Sequence, residues 1–411
     1  MLAGVNTGDT TTINLPAATR APVAAVGPTM MRTTNQRVIL DLLYARGAST
    51  RPQLARLAGL SQPTILAALA GLVADGLVRE AGRPEAGIGR PAQLYEADPA
   101  AGCALGIDVG RRWIRLALCD LAGTQLARAD VANPATTSSD LVDAIAGASS
   151  ALLAEAGIDG PPTHTAIAAP GVFEKSRRAV KYADNVPEWQ RPGLADALRE
   201  HVGSAITIEN DANLAAVAEH VQGAGVGASH LAYLHVGSGI GLGIVVDGEI
   251  YHGASGAAGE IAYLPIGVDP DDAVAPARGL LEERAAADSV ARYAVAAGMP
   301  ADVSSADVFA AARAGDGRAL VAVRTEAHQL ASVVAAISAF LDPELILVGG
   351  GVGQNLDLLQ PALEERVAAL TPLRTPLAAA TLGEESILRG ALVTGLRAAR
   401  ESAYTGRTGR S

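Results

Sequence analysis

The chain has 411 residues, a formal net charge of −11 and 49% hydrophobic residues. This length allows two or three domains. It shows no run of about twenty apolar residues that would span a bilayer, so we expect no membrane partner. Cys103 and Cys119 lie in apolar, strand-like runs, which favours buried free thiols over a disulfide and fits a cytoplasmic location.

The N-terminal segment and the charge distribution suggest how the chain is divided. Residues 1–30 lack the basic start and apolar centre of a secretion signal, and we expect a disordered tail there. Residues 31–95 contain eight arginines and four acidic residues, a net charge of +4, which leaves −15 for the remainder. Because the phosphate backbone attracts local positive charge, we expect residues 31–98 to form a DNA-binding domain. Residues 99–411 would then form an acidic, effector-binding body.

Three short helices are predicted at the start of this basic region. Helical spacing of apolar residues marks Gln36–Tyr44, and a second helix follows the potential cap Thr50 and ends at Gly59. Ser61 caps a third helix over 62–74, whose apolar face is expected to contain Ile65, Leu66, Leu69 and Leu72. Two helices joined by a tight turn with Gly are typical of a helix-turn-helix, whose second helix enters the major groove.

A two-stranded wing is predicted after the third helix. Strand-like residues 77–80 and 93–95 flank a Gly-rich turn that places Arg90 between Gly89 and Pro91. Such an arginine can enter the narrow minor groove of A·T-rich DNA. The alternative is a surface module that binds another protein, and Gln62 or Thr64 could cap the helix or touch phosphate instead of bases. The expected DNA-contacting residues are Arg51, Ser61, Gln62, Pro63, Thr64, Gly89 and Arg90.

Strands and helices alternate from Ala104 onward. A hairpin is predicted from 105–109 and 113–120, and long helices from about 140–156 and 316–340. Further strands are predicted at 165–169, 205–208, 231–236, 243–246 and 345–348. This order favours an α/β protein with two lobes and a ligand in the cleft between them.

Six segments of the body occur in the order found in the ROK family, and the chain resembles that family over about residues 31–400. The segments are Asp108-Val109-Gly110, Pro170-Gly171-Val172, 209–219, 236–243, 253–261 and 348–352. The family contains bacterial sugar kinases and repressors, which share an actin-like fold. The resemblance implies an N-terminal winged helix-turn-helix followed by a two-lobed actin-like/sugar-kinase fold. Its small lobe would be about 99–215 plus the C-terminal helix, and its large lobe about 216–388.

The resemblance also implies a sugar site. In the similar kinases, the Asp that matches Asp211 is the general base, and the residues that match Asn210, Glu260 and Glu282 bind the sugar. Carboxylates and amides suit this role, because they can hold sugar hydroxyls in bidentate hydrogen bonds. Asp211 could alternatively cap the helix over 214–219. Tyr263 is a further sugar-binding candidate, or a core residue.

Three departures from the kinases shape the functional hypothesis. Arg111-Arg112 replace a Gly-Thr pair in the first phosphate loop, and Ser238 replaces a Thr in the second. The bulk at 111–112 opposes close approach of backbone N–H groups to phosphate, so ATP is not expected as a cofactor. The family's zinc ligands are absent, since 265–281 has no cysteine and Tyr263 takes the place of a His, so no metal is expected. We interpret His235 and His252 as ordinary strand and loop residues.

Together these features predict a sequence-specific DNA-binding transcriptional regulator, a repressor whose body binds a sugar that modulates operator binding. The expected partner is palindromic, A·T-rich double-stranded DNA, bound by a homodimer or homotetramer. One alternative is an ATP-dependent sugar kinase, supported by Asp211 and opposed by Arg111-Arg112. Another is a regulator that no longer responds to a sugar. Under the main hypothesis there is no catalytic residue.

Overall fold

The computed structural model describes residues 12–13, 28–82, 92–174, 179–181, 189, 191–266 and 279–409. The chain forms two compact units. The first consists of Met1–Ile167, Ala195–Ile208 and Ala391–Ser411, and the second of Ala168–Leu194 and Glu209–Gly390. Each unit is built around its own five-stranded sheet.

The first unit begins with three helices and a small antiparallel sheet of strand order β1-β3-β2. Thr50 caps the second helix through a capping box, Gly59 ends it at φ 65°, and Ser61 caps the third. These features confirm the local boundaries predicted from the sequence. The elements are α1 (Pro28–Arg46), β1 (Ser49–Thr50), α2 (Arg51–Ala58), α3 (Gln62–Ala74), β2 (Val78–Glu80) and β3 (Leu94–Ala97).

The structure differs from the sequence prediction at three places in this region. Helix α1 starts at Pro28, eight residues before the predicted start. Leu66 was assigned to the apolar face of α3 but is 49% exposed. Most of the predicted disordered tail lies outside the described residues, but Ile13 is buried and its backbone N–H donates to the Gly123 carbonyl at 2.8 Å. At that residue the tail is ordered against the body.

The five-stranded sheet of the first unit has the order β10-β7-β4-β5-β6. Strands β4, β5 and β6 form an antiparallel meander, which confirms the predicted hairpin. Cys103 and Cys119 are free and buried within it, and burial raises the pKa of both thiols. The elements from here to the sheet's last strand are β4 (Cys103–Val109), β5 (Trp113–Asp120), β6 (Gln125–Ala132), α4 (Ser138–Glu155), β7 (His164–Ala169), β8 (Val172–Glu174), β9 (Ala179–Lys181), α5 (Leu194–Val202) and β10 (Ala205–Asn210).

The sheet of the second unit, β13-β12-β11-β14-β15, repeats this topology. In both sheets the first strand is central, the next two follow it on one side and two later strands lie on the other. The elements are α6 (Asp211–Gln222), β11 (His230–Val236), β12 (Ile240–Val246), β13 (Glu249–Ile250), α7 (Glu282–Ala285), α8 (Ala287–Ala296), α9 (Ser305–Arg313), α10 (Gly317–Leu341), β14 (Leu345–Gly349), α11 (Gly350–Gly353), α12 (Leu356–Leu370), β15 (Leu377–Ala379) and α13 (Ser386–Thr408). The α/β fold class predicted from the sequence is therefore confirmed.

Helix α10 forms the centre of the second unit's core. Among the described helices, it is the one that is long and apolar enough by itself to pass for a membrane span, with a mean hydropathy of 1.2. Half of that apolar window is buried against the protein, and the buried residues include Glu326. We interpret α10 as a core helix.

Glu326 is a buried carboxyl group in α10 and gives a test of this core. Burial raises its pKa from 4.5 to about 8, with Ser289 as a hydrogen-bond donor at 3.5 Å. Because the folded pKa is raised, this residue's contribution to stability is largest below pH 4.5 and is lost as the pH rises to 8. A Glu326→Gln variant is expected to lack this loss, so its stability advantage should grow by about 1.4 kcal/mol per pH unit in that window. Thermal unfolding between pH 5 and pH 8 measures it. A stability difference between Glu326→Gln and the wild type that does not depend on pH would contradict the raised pKa of Glu326. An equal effect of Glu200→Gln, on the exposed face of α5, would contradict it too.

Candidate functional site

The end of β10 and the start of α6 carry Asn210 and Asp211, two predicted sugar ligands. The Asn210 side chain caps α6, because its Oδ1 accepts from the backbone N–H groups of Ala212 and Asn213 at 2.8 and 3.2 Å. Its Nδ2 donates to the Gly171 carbonyl at 3.1 Å. The cap that sequence reasoning offered as an alternative for Asp211 is thus mainly supplied by Asn210, although one Asp211 oxygen also accepts from Ala212 N–H at 2.8 Å.

Glu209, directly before these two residues, is the most constrained carboxylate of the site. One oxygen accepts from the Asn210 backbone N–H at 2.9 Å and from Asn213 Nδ2 at 2.8 Å. The other pairs with His252 Nε2 at 2.7 Å. Burial raises the pKa of Glu209, but the bonds from His252 and Asn213 outweigh burial and leave it lowered. His252 is therefore a partner of the site, and its interpretation as an ordinary loop residue is wrong.

The loop from His252 to Glu260 brings a second carboxylate to this region. The Ala258 N–H donates to the His252 carbonyl at 3.2 Å and closes the loop. Gly259 has φ 93°, and a Cβ there would lie 1.9 Å from the Leu242 carbonyl oxygen, so only glycine fits. This turn places Glu260 where burial, Asp211 and Glu282 raise the pKa of Glu260 to about 7. Three of the predicted sugar ligands therefore interact electrostatically.

Glu282, the fourth predicted ligand, begins α7 and supports the second glycine-rich turn. Its Oε2 accepts from the Ile240 N–H at 3.3 Å, and a Cβ on Gly239 would lie 2.9 Å from that oxygen. Glu282 also lines a cavity of about 350 Å³. The other lining residues are Glu283, Ala286, Asp288 and Arg292. Three carboxylates against one guanidinium make this cavity a poor environment for a polyphosphate.

Tyr263, the further sugar-binding candidate, ends a short 3-10 turn over Ile261–Tyr263. It is 39% exposed, so it is not a core residue. Most of the segment in which the zinc ligands would be expected, 267–278, lies outside the described residues. Among the described residues, no group of three or more His, Cys, Asp or Glu side chains could hold a metal ion.

The first glycine turn, Gly110-Arg111-Arg112, connects β4 and β5. The turn is closed by a bond from Gly110 N–H to the Trp113 carbonyl at 2.9 Å. Asn133 Nδ2 donates to the Gly110 carbonyl at the same distance. Asp108 is buried and forms an ion pair with Arg115 at 3.2 Å. One oxygen of the Asp108 carboxylate, next to this turn, is thus already paired with the Arg115 guanidinium.

Four of the seven predicted DNA-contacting residues, Ser61 to Thr64, lie at the start of α3. The Ser61 hydroxyl accepts from Thr64 N–H at 3.3 Å, and Gln62 and Pro63 are exposed in the first turn. Arg51 lies at the start of α2 and is half-buried. The helices α2 and α3 meet at an angle of 111°. Gly89 and Arg90 lie outside the described residues.

Two sheets of the same topology define an α/β protein, whose second unit brings the carboxylates of Asp211, Glu260 and Glu282 near one another. The chain belongs to the ROK family, whose model matches residues 104–396. It is 28% identical to a candidate xylose repressor of Caldicellulosiruptor sp., over 82% of this chain and 88% of that protein. It is 34% identical to a glucokinase of Halalkalibacterium halodurans, over 54% of this chain and 72% of that protein.

A solved structure extends the comparison to nearly the whole chain. A ROK family transcriptional regulator, described as a homologue of the E. coli MLC protein, superposes with a TM-score of 0.75. The match covers 92% of this chain and 98% of that one at 22% identity, which shows a common fold. ROK repressors and ROK sugar kinases therefore both occur among the relatives.

Proposed function

We propose that this protein is a DNA-binding transcriptional regulator, a repressor, whose body binds a sugar that modulates operator binding. The observation that carries the proposal is the geometry of α2 and α3. They cross at 111° and are joined by the short turn Gly59-Leu60-Ser61. Helix-turn-helix motifs have a crossing angle of about 90–120° and a turn of this length.

The surface chemistry of the N-terminal region over residues 31–98, called the head below, favours DNA as its partner. Gln62 and Pro63 are exposed at the N-terminal end of α3, the end that faces base edges in such motifs. We interpret the small antiparallel sheet beside the helices as a wing, and we propose that Arg90 contacts the minor groove of A·T-rich DNA. Recognition of a palindromic operator requires two heads, so we propose a homodimer or homotetramer that acts in the cytoplasm.

The body supports a sugar as the effector. Burial, Asp211 and Glu282 together raise the pKa of Glu260, so the three carboxylates lie near one another, and Glu260 is half-buried. Such a site offers several acceptors to hydroxyl groups. The named activities of the relatives, a xylose repressor and a glucokinase, point to the same ligand class. We propose Asn210, Asp211, Glu260, Glu282 and Tyr263 as its sugar-contacting residues.

A sugar kinase is the second candidate, because glucokinases are among the relatives and Asp211 is present. One feature weighs against it, because Arg111 and Arg112 add bulk to the first turn, where glycine-rich loops let backbone N–H groups approach phosphate. We therefore propose a regulator without ATP or metal as cofactor.

The testing experiment titrates the protein on DNA from upstream of its own gene with D-xylose, D-glucose and their phosphates, while ATP consumption is followed in parallel. We expect operator binding at roughly 10⁻⁸ M or tighter. One unphosphorylated sugar should change it by about 5- to 150-fold without using ATP. Sugar-dependent ATP consumption would refute the regulator in favour of the kinase. Operator binding that is indifferent to every sugar would mean that the body no longer has a sugar effector.

A further inference from the structure

Helix α13 belongs to both compact units, since residues 386–390 are part of the second and residues 391–408 of the first. In the second unit its first turns pack on α6, the helix that begins beside Asn210 and Asp211. A Cβ at Gly390 would lie only 1.9 Å from the Leu214 carbonyl oxygen, so helix α13 and helix α6 touch through their backbones. Bulk at Gly390 would separate the two helices.

In the first unit the last turns of α13 hold the C-terminal end of α3. Arg407 Nη1 donates to the Gly76 carbonyl at 2.7 Å, and Nη2 donates to the Ala101 carbonyl at 2.6 Å. Gly76 directly follows the α3 cap, where helix carbonyls lack partners and attract a cation. A single guanidinium thus joins the end of α3 to the segment that leads into the body sheet.

The same turns of α13 also hold α1. Arg37 forms an ion pair with Glu401, and its guanidinium lies 4.9 Å from the centre of the Tyr404 ring. The Tyr404 hydroxyl donates to the Thr33 carbonyl at 3.1 Å. Exposed ion pairs contribute little individually. Here an ion pair, a cation–π contact and a hydrogen bond meet on two adjacent turns.

Arg400, directly before Glu401, connects α1 to the body sheet. Its guanidinium stacks 3.9 Å from the Tyr44 ring, and its Nε donates to the Leu121 carbonyl at 2.8 Å. Burial raises the pKa of Tyr44 to about 12 and lowers that of Arg400. A buried arginine held in this way is expensive to displace. The α1 end of the head is therefore fixed to α13 and to the β5–β6 turn together.

We propose that α13 carries the head and that Arg407 is the positioning residue for α3. The inference rests on the proposed DNA-binding function. Operator recognition needs two α3 helices at a fixed separation, so a loosely held head must be ordered at a cost when it binds. Non-specific binding depends on charge alone and does not require that orientation.

The test compares full-length wild type with Arg407→Ala on an operator fragment and on random DNA of the same length. We expect operator affinity to fall about tenfold in the variant, with random-DNA affinity and sugar affinity for D-xylose or D-glucose unchanged. Arg407→Lys should restore part of the loss, because an ammonium can still donate to one or two carbonyls. The matched control is Arg366→Ala, which removes an exposed arginine from α12.

An operator-to-random affinity ratio equal to that of the wild type would overturn the inference. If Arg407→Ala does not fold, Glu401→Gln and Tyr404→Phe remove exposed or single contacts of the same helix, and the same ratio is measured on them. A wild-type protein without operator preference would refute the proposed function, and this inference with it. If the wild type prefers operator DNA over random DNA and the variants prefer it equally, the inference is refuted but the proposed function is not.

Discussion

An Asp211→Asn variant is expected to lose sugar binding by at least about 100-fold while it binds operator DNA as the wild type does. Asparagine keeps the oxygen that accepts from the Ala212 N–H, so α6 should start unchanged. The substitution removes the negative charge and one strong acceptor for a sugar hydroxyl. Charge-assisted hydrogen bonds contribute about twice as much as neutral ones, so the substitution removes one such contact and weakens any that the remaining oxygen makes. Calorimetric titration with the responsive sugar measures the loss of sugar affinity. Operator binding without sugar tests whether the DNA-binding head is unchanged.

The pKa of Glu260 provides an independent check on the Asp211→Asn variant. Burial, together with the charges of Asp211 and Glu282, raises the pKa of Glu260 to about 7, so loss of the Asp211 charge should lower that pKa in part. The Asp302→Asn variant, which changes an exposed aspartate far along the chain, is the control. A normal sugar response from Asp211→Asn would refute the sugar-site assignment. Loss of operator binding would mean that Asp211 supports the fold rather than the ligand.

Local chemistry allowed much of the head to be predicted. Thr50, Gly59 and Ser61 mark helix ends by their own side chains or by a positive φ, and each lies where the sequence indicated. The start of α1 was missed because 28–35 contains Thr, Asn and Pro, which predict no helix by themselves. Its polar residue Thr33 is held by Tyr404, which is 371 positions away in sequence. A tertiary contact of this kind leaves no periodic signal.

The candidate site was also predicted only in part, because local pattern marks some of its residues and long-range contacts hold others. Asn210 ends strand β10 and Asp211 begins α6, and Gly259 indicates a turn before Glu260, so local pattern and family resemblance point to these residues. The partner of Glu209 is His252, 43 residues further on, and no spacing rule connects the two. The available signal was weak: a lone histidine in a loop beside a glycine-rich segment. Only the fold reveals that Glu209 is buried and therefore needs such a partner.

His252→Ala is expected to weaken sugar binding about tenfold without contacting the sugar. Glu209 uses one oxygen to hold the Asn210 backbone and Asn213, and the other to hold His252 and thereby the loop that carries Glu260. Removal of the imidazole leaves a buried carboxylate oxygen without its partner, which costs about 1–3 kcal/mol. We expect the loop that carries Glu260 to shift in response, and this shift accounts for part of that cost. Sugar affinity and thermal stability measured on one preparation separate the two effects.

The pH dependence distinguishes positioning by this pair from simple destabilisation. The folded pKa of Glu209 is lowered, so its contribution to stability is present above its ordinary pKa and is lost as the pH falls through the folded value. Without His252 that pKa should rise, and the acid limb of the stability curve should move to higher pH. His252→Gln retains an N–H donor and should recover part of the sugar affinity. It should not restore the position of the acid limb of the stability curve, which depends on charge. His201→Ala, on the exposed face of α5, should change neither. If His252→Ala binds sugar as tightly as the wild type, Glu209 holds only the α6 turn, and the Glu260 loop keeps its position without the imidazole.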